Sequence, residues 1–443
     1  MAIKVGMVSL GCDKNLVDSE RMLQKLRSHG YQLVKEFGDS DVAVVNTCGF
    51  IQSAKEEAIE TILEIAKLKE EGRVKKLILT GCLTERYKDQ VADEFPEADA
   101  VIGFGDNKDI IDILDKVLHG ERVVRFSPNL EAEQTGERII STLPFFSYLK
   151  IAEGCSNHCT YCAIPMIRGK YRSVPMENVL AEAEQLASYG VTELNIIAQD
   201  TTRYGEDLYG KVCLPELLTK LCRIDGLKWI RVLYCYPERI TDELIDVIAK
   251  EDKIIKYLDM PIQHSDDTIL KRMNRPTTNQ SLRDLITKLR TKIPEIVLRT
   301  TLITGFPGET EEQFNHLAEF VQDMKFTHLG CFPYSQEDGT PAGNFPDQLD
   351  DEIKQHRADI IMEQQMEINA EYNARQMDTI KEAVVEGFDK WAECYFGRTK
   401  ADAPDIDGKI FFTSEQPLEV GQYVRIHVTD TLDYDLIGEV VPE

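Results

Sequence analysis

The strongest constraint in this 443-residue chain is a run of eight, Cys155-Ser-Asn-His-Cys159-Thr-Tyr-Cys162, which places three cysteines in one short loop. With 11 cysteines in all, independent placement would produce this C-x3-C-x2-C spacing on the order of 0.01 times per chain, so it is read as a ligand set. Soft thiolates at short spacing select zinc, copper or an iron–sulfur cluster. A structural zinc takes four protein ligands, and His158 inside the loop adjoins Cys159, which is already committed. A four-iron cluster normally takes four cysteines. With three, one iron keeps an open position where a small molecule can chelate.

That spacing resembles the signature of the radical S-adenosylmethionine enzymes. The resemblance implies that the amino and carboxylate groups of the cofactor occupy the open iron, and that its reductive cleavage yields a deoxyadenosyl radical. The cofactor then carries the hard chemistry. The competing reading is a three-cysteine structural site completed by a distant ligand.

A chain of this length allows two or three domains with sizeable cores. Its 42% apolar and 29% charged residues are those of a globular protein. No run approaches the ~18 apolar residues of a membrane span, and Met1–Leu10 reads as a strand rather than a signal peptide. A cytoplasmic location is expected. An odd number of cysteines without an export signal argues for reduced thiols and metal ligation over disulfides. Lys and Arg number 51 against 77 Asp and Glu, a net charge of −26. That balance repels phosphate backbones and suits a basic protein partner.

From Ile3 to residue 127, apolar runs alternate with amphipathic stretches. Val5–Leu10, Val42–Val45 and Leu77–Thr80 read as buried parallel strands. Asp18–His29, Ser53–Glu71 and Glu85–Phe95 read as helices, with Asp18 and Ser53 as N-caps. The expectation is an open α/β sheet over residues 1–127. Each of the three strands leads into a cysteine, at Cys12, Cys48 and Cys82. Ligands bind at the carboxyl edge of such sheets, so these thiols should converge near helix N-termini, whose partial positive charge favours thiolates. The competing reading is three small buried residues at strand ends, as is common for a single free cysteine.

Residues 128–144 are polar and aperiodic and read as a linker. Over 145–375, strand and helix signals alternate about six times, which predicts a partial (β/α) barrel, two units short of a closed one. The cysteine loop follows its first strand. Gln199 and Asp200 follow the second, Gln263 and His264 the fourth, and Thr304, Gly305 and Gly308 the fifth. This shared edge makes Gln199, Asp200, Gln263, Thr304, Gly305 and Gly308 candidate cofactor contacts, the glycines by permitting close backbone approach. His264 alone is uninformative, and Cys213, Cys222, Cys235 and Cys331 lack ligand spacing and read as core.

A charged helix over Asp351–Arg375 leads into residues 376–443, where five short strands broken by glycines predict a small antiparallel β-barrel. These residues hold 6 Lys and Arg against 15 Asp and Glu, a net of −9. An oligonucleotide-binding barrel would be basic. Carboxylates such as Asp402, Asp405, Asp407 and Asp433 are expected to steer a basic protein instead.

Taken together, Ser9-Leu-Gly-Cys12-Asp-Lys-Asn-Leu-Val-Asp-Ser-Glu20, Asn46-Thr-Cys48-Gly49, Thr80-Gly-Cys82 and Cys155-Ser-Asn-His-Cys159-Thr-Tyr-Cys162-Ala-Ile-Pro165 resemble the radical methylthiotransferase family over essentially the whole chain, ending in what looks like its TRAM domain. Lys14-Asn15-Leu16-Val17 and Met260-Pro-Ile-Gln-His-Ser265 look like the branch that modifies small-subunit ribosomal protein twelve. Asp13 departs from the proline expected in many relatives, at a position that is not a ligand. The resemblance implies two 4Fe-4S clusters, one on Cys12, Cys48 and Cys82 and one on Cys155, Cys159 and Cys162. It also implies S-adenosylmethionine as both methyl donor and radical source, and a methylthio group placed on the β-carbon of an aspartate. The partners it implies are a basic ribosomal protein and an electron donor, with no membrane and no nucleic acid as direct substrate. Two other readings compete, the same chemistry on a transfer-RNA base and a non-enzymatic iron–sulfur electron carrier.

Overall fold

The computed structural model describes residues 2–35 and 37–441. Its first sheet is built from β1 (Lys4–Ser9), β2 (Gln32–Val34), β3 (Val42–Thr47), β4 (Lys76–Gly81), β5 (Ala100–Ile102) and β6 (Val123–Arg125). The strands run parallel in the order β2-β1-β3-β4-β5-β6. On β3, Ala43 and Val45 pack with Ile62 of α2 (Gln52–Glu70), while Val42 and Val44 pack with Met22 of α1 (Asp13–Ser28) on the other face. Apolar residues at both parities of a strand are what a sheet covered on both sides requires. β2, β5 and β6 have three residues each, too few to carry a periodic signal.

Several local expectations need correction. α1 begins at Asp13, with Cys12 in the cap position, so Asp18 is not a cap but a buried residue one turn inside the helix. α2 begins at Gln52 after Ile51, which removes Ser53 from the cap. The helix expected over Glu85–Phe95 starts at Cys82 and breaks at Lys88, whose φ of 43° separates α3 (Cys82–Tyr87) from α4 (Asp89–Glu94). A left-handed residue cannot continue a right-handed helix. α5 (Ile110–Leu118) completes this layer.

The second sheet contains β7 (Phe146–Lys150), β10 (Glu193–Ile197), β11 (Trp229–Val232), β12 (Ile254–Asp259), β13 (Val297–Thr304) and β14 (His328–Pro333). Between β7 and β10, the two-residue strands β8 (Ala152–Glu153) and β9 (Arg172–Ser173) pair antiparallel and clip together the ends of the cysteine loop. The six long strands are parallel, in the order β14-β13-β12-β11-β10-β7. β7 and β14 are not joined, so the barrel is open. Its crossovers include α6 (Ile164–Arg168), α7 (Met176–Ser188), α8 (Glu206–Tyr209), α9 (Leu214–Leu221), α10 (Asp242–Lys250), α11 (Asp267–Arg272), α12 (Asn279–Lys292) and α13 (Glu311–Met324). α14 (Asp351–Ala374) lies along β14, where Gln365 donates to the Phe326 carbonyl at 3.0 Å. The segment between β6 and β7 is pinned rather than slack: buried Arg138 bonds Glu182 at 2.8 Å and pairs with Glu20.

The C-terminal barrel closes through β15 (Ile380–Asp389), β16 (Cys394–Thr399), β17 (Ile410–Thr413), β19 (Asp435–Val440) and β18 (Tyr423–Leu432), in that spatial order. It is not wholly antiparallel, because β17 and β19 pair parallel. The chain leaves β17 and crosses to pair β18 with β15, and the return strand β19 then closes against β17 in the same direction. The loop after β16 docks on the open barrel, and there the electrostatic expectation fails in part. Asp407 accepts from Tyr257 at 2.6 Å and faces Arg299 at 3.3 Å, while Asp402 lies 3.7 Å from His328. Both carboxylates are buried and unavailable to a partner, whereas Asp405 and Asp433 are exposed. Among the described residues, no helix is long and apolar enough to cross a membrane.

Candidate functional site

β1, β3 and β4 are neighbours, so Cys12, Cys48 and Cys82 follow the carboxyl ends of three adjacent strands. Glycine makes the approach possible. Gly11 has φ +82°, and a Cβ there would fall 2.7 Å from the Cys48 Sγ. Gly81 has φ +107°, and a Cβ there would strike the Thr47 backbone. Asn15 ties the strand ends together, its amide donating to the Leu10 carbonyl at 2.8 Å and to those of Asn46 and Thr47 at 3.3 Å. Burial pushes the Cys82 thiol up to about 12, against the opposing charge of Arg168, and also raises Cys48. Burial thus works against the thiolate form that a helix N-terminus favours.

The second set sits on the loop after β8. Cys155 N–H donates to the Gly169 carbonyl at 3.0 Å, closing the loop, and the Cys159 Sγ lies 3.3 Å from the Tyr236 hydroxyl. Asn157 donates to buried Asp200 at 2.8 Å and bolts the loop to the end of β10. His158 points to solvent in a left-handed conformation, φ 52°. It is therefore not a fourth ligand beside its neighbours. Burial raises Cys155 to about 11 and raises Cys162 further. What surface Cys162 retains faces a cavity.

That cavity, of about 1290 Å³, is lined by Cys12, Cys48 and Cys82 on one side and by Cys162, Gln199 and Gln263 on the other. Gln199 is held by Glu153, to which it donates at 2.9 Å, and Gln263 has φ 71°. Burial alone would raise Glu153, but Lys150 and Arg168 hold it down to about 2. The other strand-end residues stand behind the lining. Thr304 donates to the Lys354 carbonyl at 3.2 Å, and Gly305 N–H donates to Glu309 at 2.9 Å. A Cβ on Gly305 would meet Lys354, and one on Gly308 would meet Asp347 and Arg272. These glycines accommodate the protein's own side chains. Among the described residues, no three His, Cys, Asp or Glu side chains converge tightly enough to hold a single metal ion. A cluster of several irons spreads its thiolates over its corners, and three soft donors in one wall of the chamber with a second three-cysteine loop that reaches it through Cys162 fit such a group.

Residues 4–103 match Uncharacterized protein family UPF0004, residues 149–321 the Radical SAM superfamily, and residues 379–441 the TRAM domain. Among curated relatives, the ribosomal protein uS12 methylthiotransferase RimO of Lachnoclostridium phytofermentans is 52% identical over 98% of this chain and 99% of that one. The proteins of the same name from Clostridioides difficile and Geobacter sulfurreducens are each 48% identical, over 100% and 99% of this chain and 99% and 98% of theirs. This chain belongs to the RimO family. Its fold is also that of more distant radical enzymes. The radical S-adenosylmethionine methyltransferase TsrM of Kitasatospora setae superposes with a TM-score of 0.58 at 15% identity, over 77% of each chain. The cobalamin-dependent S-adenosylmethionine radical enzyme OxsB superposes at 0.51 and 13% identity, over 82% of this chain and 56% of that one. In this RimO-family chain, sequence reasoning missed Lys14, Arg168, Tyr234, Tyr236 and Arg275, all of which line the chamber. None carried a spacing signal. Arg275, stacked 4.1 Å over the Tyr236 ring, looks in sequence like any surface arginine.

Proposed function

We propose that this chain places a methylthio group on the β-carbon of an aspartate in small-subunit ribosomal protein uS12, using two 4Fe-4S clusters and S-adenosylmethionine. The observation that carries the reading is the chamber lined by Cys12, Cys48 and Cys82 and, across from them, by Cys162 of the loop that holds Cys155 and Cys159. Cys155, Cys159 and Cys162 would hold one cluster and Cys12, Cys48 and Cys82 the other. When bound, these groups supply a carbon radical, a sulfur source and a methyl group, chemistry beyond side-chain acids and bases at an unactivated C–H bond. The chain's own residues position and enclose. Gln199 and Gln263 face the chamber as direct cofactor contacts. Asp200 braces the cysteine loop through Asn157, Thr304 and Gly305 hold the turn after β13 against Lys354 of α14, and Gly308 packs that turn on Asp347 and Arg272. The reductive step also calls for an electron donor.

The exposed charges of the chamber favour a basic polypeptide, because the cations in its wall, Lys14, Arg168, Arg275 and Lys354, are buried. Glu56, Asp351, Glu352 and Asp359 all line the cavity and are exposed, and Asp405 and Asp433 add to the acidic face of the C-terminal barrel. Each exposed pair contributes only ~0.2–1 kcal/mol, mainly through on-rate and salt sensitivity. The test is reconstitution and mass spectrometry. Anaerobically loaded protein should bind about eight irons; Cys48→Ala should remove about half while leaving deoxyadenosine formation, and Cys159→Ala should abolish that formation. Methylthiolation of transfer RNA in place of uS12 would refute the substrate assignment.

A further inference from the structure

The hydrogen bonds of Arg168 divide between the two halves of the site. It ends α6, six residues after Cys162, yet its side chain crosses to the N-terminal domain and is 1% exposed. Nη1 donates to Asp18 at 2.6 Å and to Glu153 at 3.3 Å. Nη2 donates to Asn15 at 2.9 Å and to the Cys82 Sγ at 3.4 Å. The guanidinium also stacks over Phe104, 4.1 Å from the ring centroid. Lys150, buried beside them, pairs with Asp18 and with Glu153 at 2.9 Å. Two carboxylates thus face two cations, and the Nη1 edge of Arg168 is spent on that balance. The Nη2 edge is directed at the amide that clamps the strand ends and at one cysteine sulfur.

We propose that Arg168 is the positioning residue through which the barrel sets the reduction potential of the group held by Cys12, Cys48 and Cys82. The inference rests on the reading that these three cysteines ligate a cluster. A hydrogen bond to a ligand sulfur and a nearby positive charge stabilise the more negative, reduced state, and raise the potential. Arginine is needed because one planar fork serves the carboxylates and the sulfur at once, whereas a single ammonium cannot. The same side chain anchors the radical-forming loop to the N-terminal domain, so electrostatic tuning and interdomain geometry are one device.

The test uses the full-length chain carrying Cys155→Ala, Cys159→Ala and Cys162→Ala, reconstituted anaerobically with iron and sulfide, so that any cluster belongs to the N-terminal set. Midpoint potentials are read by electron paramagnetic resonance during a redox titration. Arg168→Lys and Arg168→Met should both fold, judged by circular dichroism, and hold about four irons. In Arg168→Met the ratio of oxidised to reduced cluster at a fixed potential should rise at least tenfold, about 59 mV downward for one electron, with Arg168→Lys between it and the parent. Asp18→Asn removes a carboxylate while leaving the sulfur contact, and should move the potential upward. Tuning is overturned by unchanged potentials in both Arg168 variants, by a downward shift in Asp18→Asn as large as in Arg168→Met, or by folded Arg168 variants that hold no iron. Absence of iron from the parent would instead refute the cluster reading itself, so the two failures are distinct.

Discussion

Glu193 opens β10 and is fully buried where the C-terminal barrel docks on the open one. Its carboxylate accepts from Arg398 Nη2 at 2.8 Å and faces Arg231 Nε at 3.4 Å. Glu193→Gln keeps the shape and removes the charge. Arg398 retains Glu386 at 2.6 Å, whereas Arg231, among the described residues, keeps no carboxylate hydrogen bond and is left with the Lys400 carbonyl at 3.1 Å and the face of Tyr257. Leaving one member of a buried pair uncompensated costs about 3–5 kcal/mol, which is roughly a 150- to 5000-fold rise in the local opening equilibrium. Hydrogen–deuterium exchange over Cys394–Thr399 and Glu193–Ile197 reads this directly. Burial alone would raise the Glu193 carboxyl, but Arg398 and Arg231 hold it below the usual range. Its contribution is therefore present above the ordinary glutamate pKa and lost as pH falls through the lower folded value. Protection in the parent should fall on acidification, and that fall should be missing in Glu193→Gln. Adding Arg231→Met should recover much of the loss, because an apolar replacement of a buried pair is close to neutral. Exchange within about threefold of the parent, below ~1 kcal/mol, would refute the account of the docking.

Gly11→Ala places a methyl 2.7 Å from the Cys48 Sγ at φ +82°; beyond ~1 kcal/mol of backbone strain, it should cut iron from about eight to about four per chain, and an unchanged count would contradict the spacing role of this glycine. Glu56→Lys with Asp359→Lys should raise the KM for uS12 several-fold at low salt with little change in kcat, the effect fading as salt screens the pairs; a salt-independent loss would contradict steering. Trp229→Ala removes a buried ring that meets Tyr423 edge-on at 4.9 Å and should cost ~3–5 kcal/mol, read as a lower midpoint of thermal unfolding; a midpoint unmoved would refute that packing.

The local elements were legible because their causes are local. The strands read over Val42–Val45 and Leu77–Thr80 and the charged helix read over Asp351–Arg375 follow from residue pattern, and the structure has Val42–Thr47, Lys76–Gly81 and Asp351–Ala374 there. The cysteine loop was legible from spacing alone. So was the convergence of Cys12, Cys48 and Cys82, since parallel strands of similar length present their carboxyl ends at one edge. Short strands such as Ala100–Ile102 were not, because three residues make no pattern.

What only the tertiary structure decided is how charges and sulfur meet across the chain. Arg168 reaches Asp18 across 150 positions and Cys82 across 86, and no periodicity encodes a contact at that distance. Asp402 and Asp407 read as solvated carboxylates in a strongly acidic segment, but docking buries them against His328 and Arg299. Gly305 and Gly308 carry the same signal whether they admit a ligand or, as here, Lys354, Asp347 and Arg272. Sequence determines which groups can ligate, donate or bend because those are properties of single residues and their neighbours. Only the packing of the two parallel sheets determines which of them share one chamber, because burial and Coulomb energy depend on distances that the order of residues does not contain.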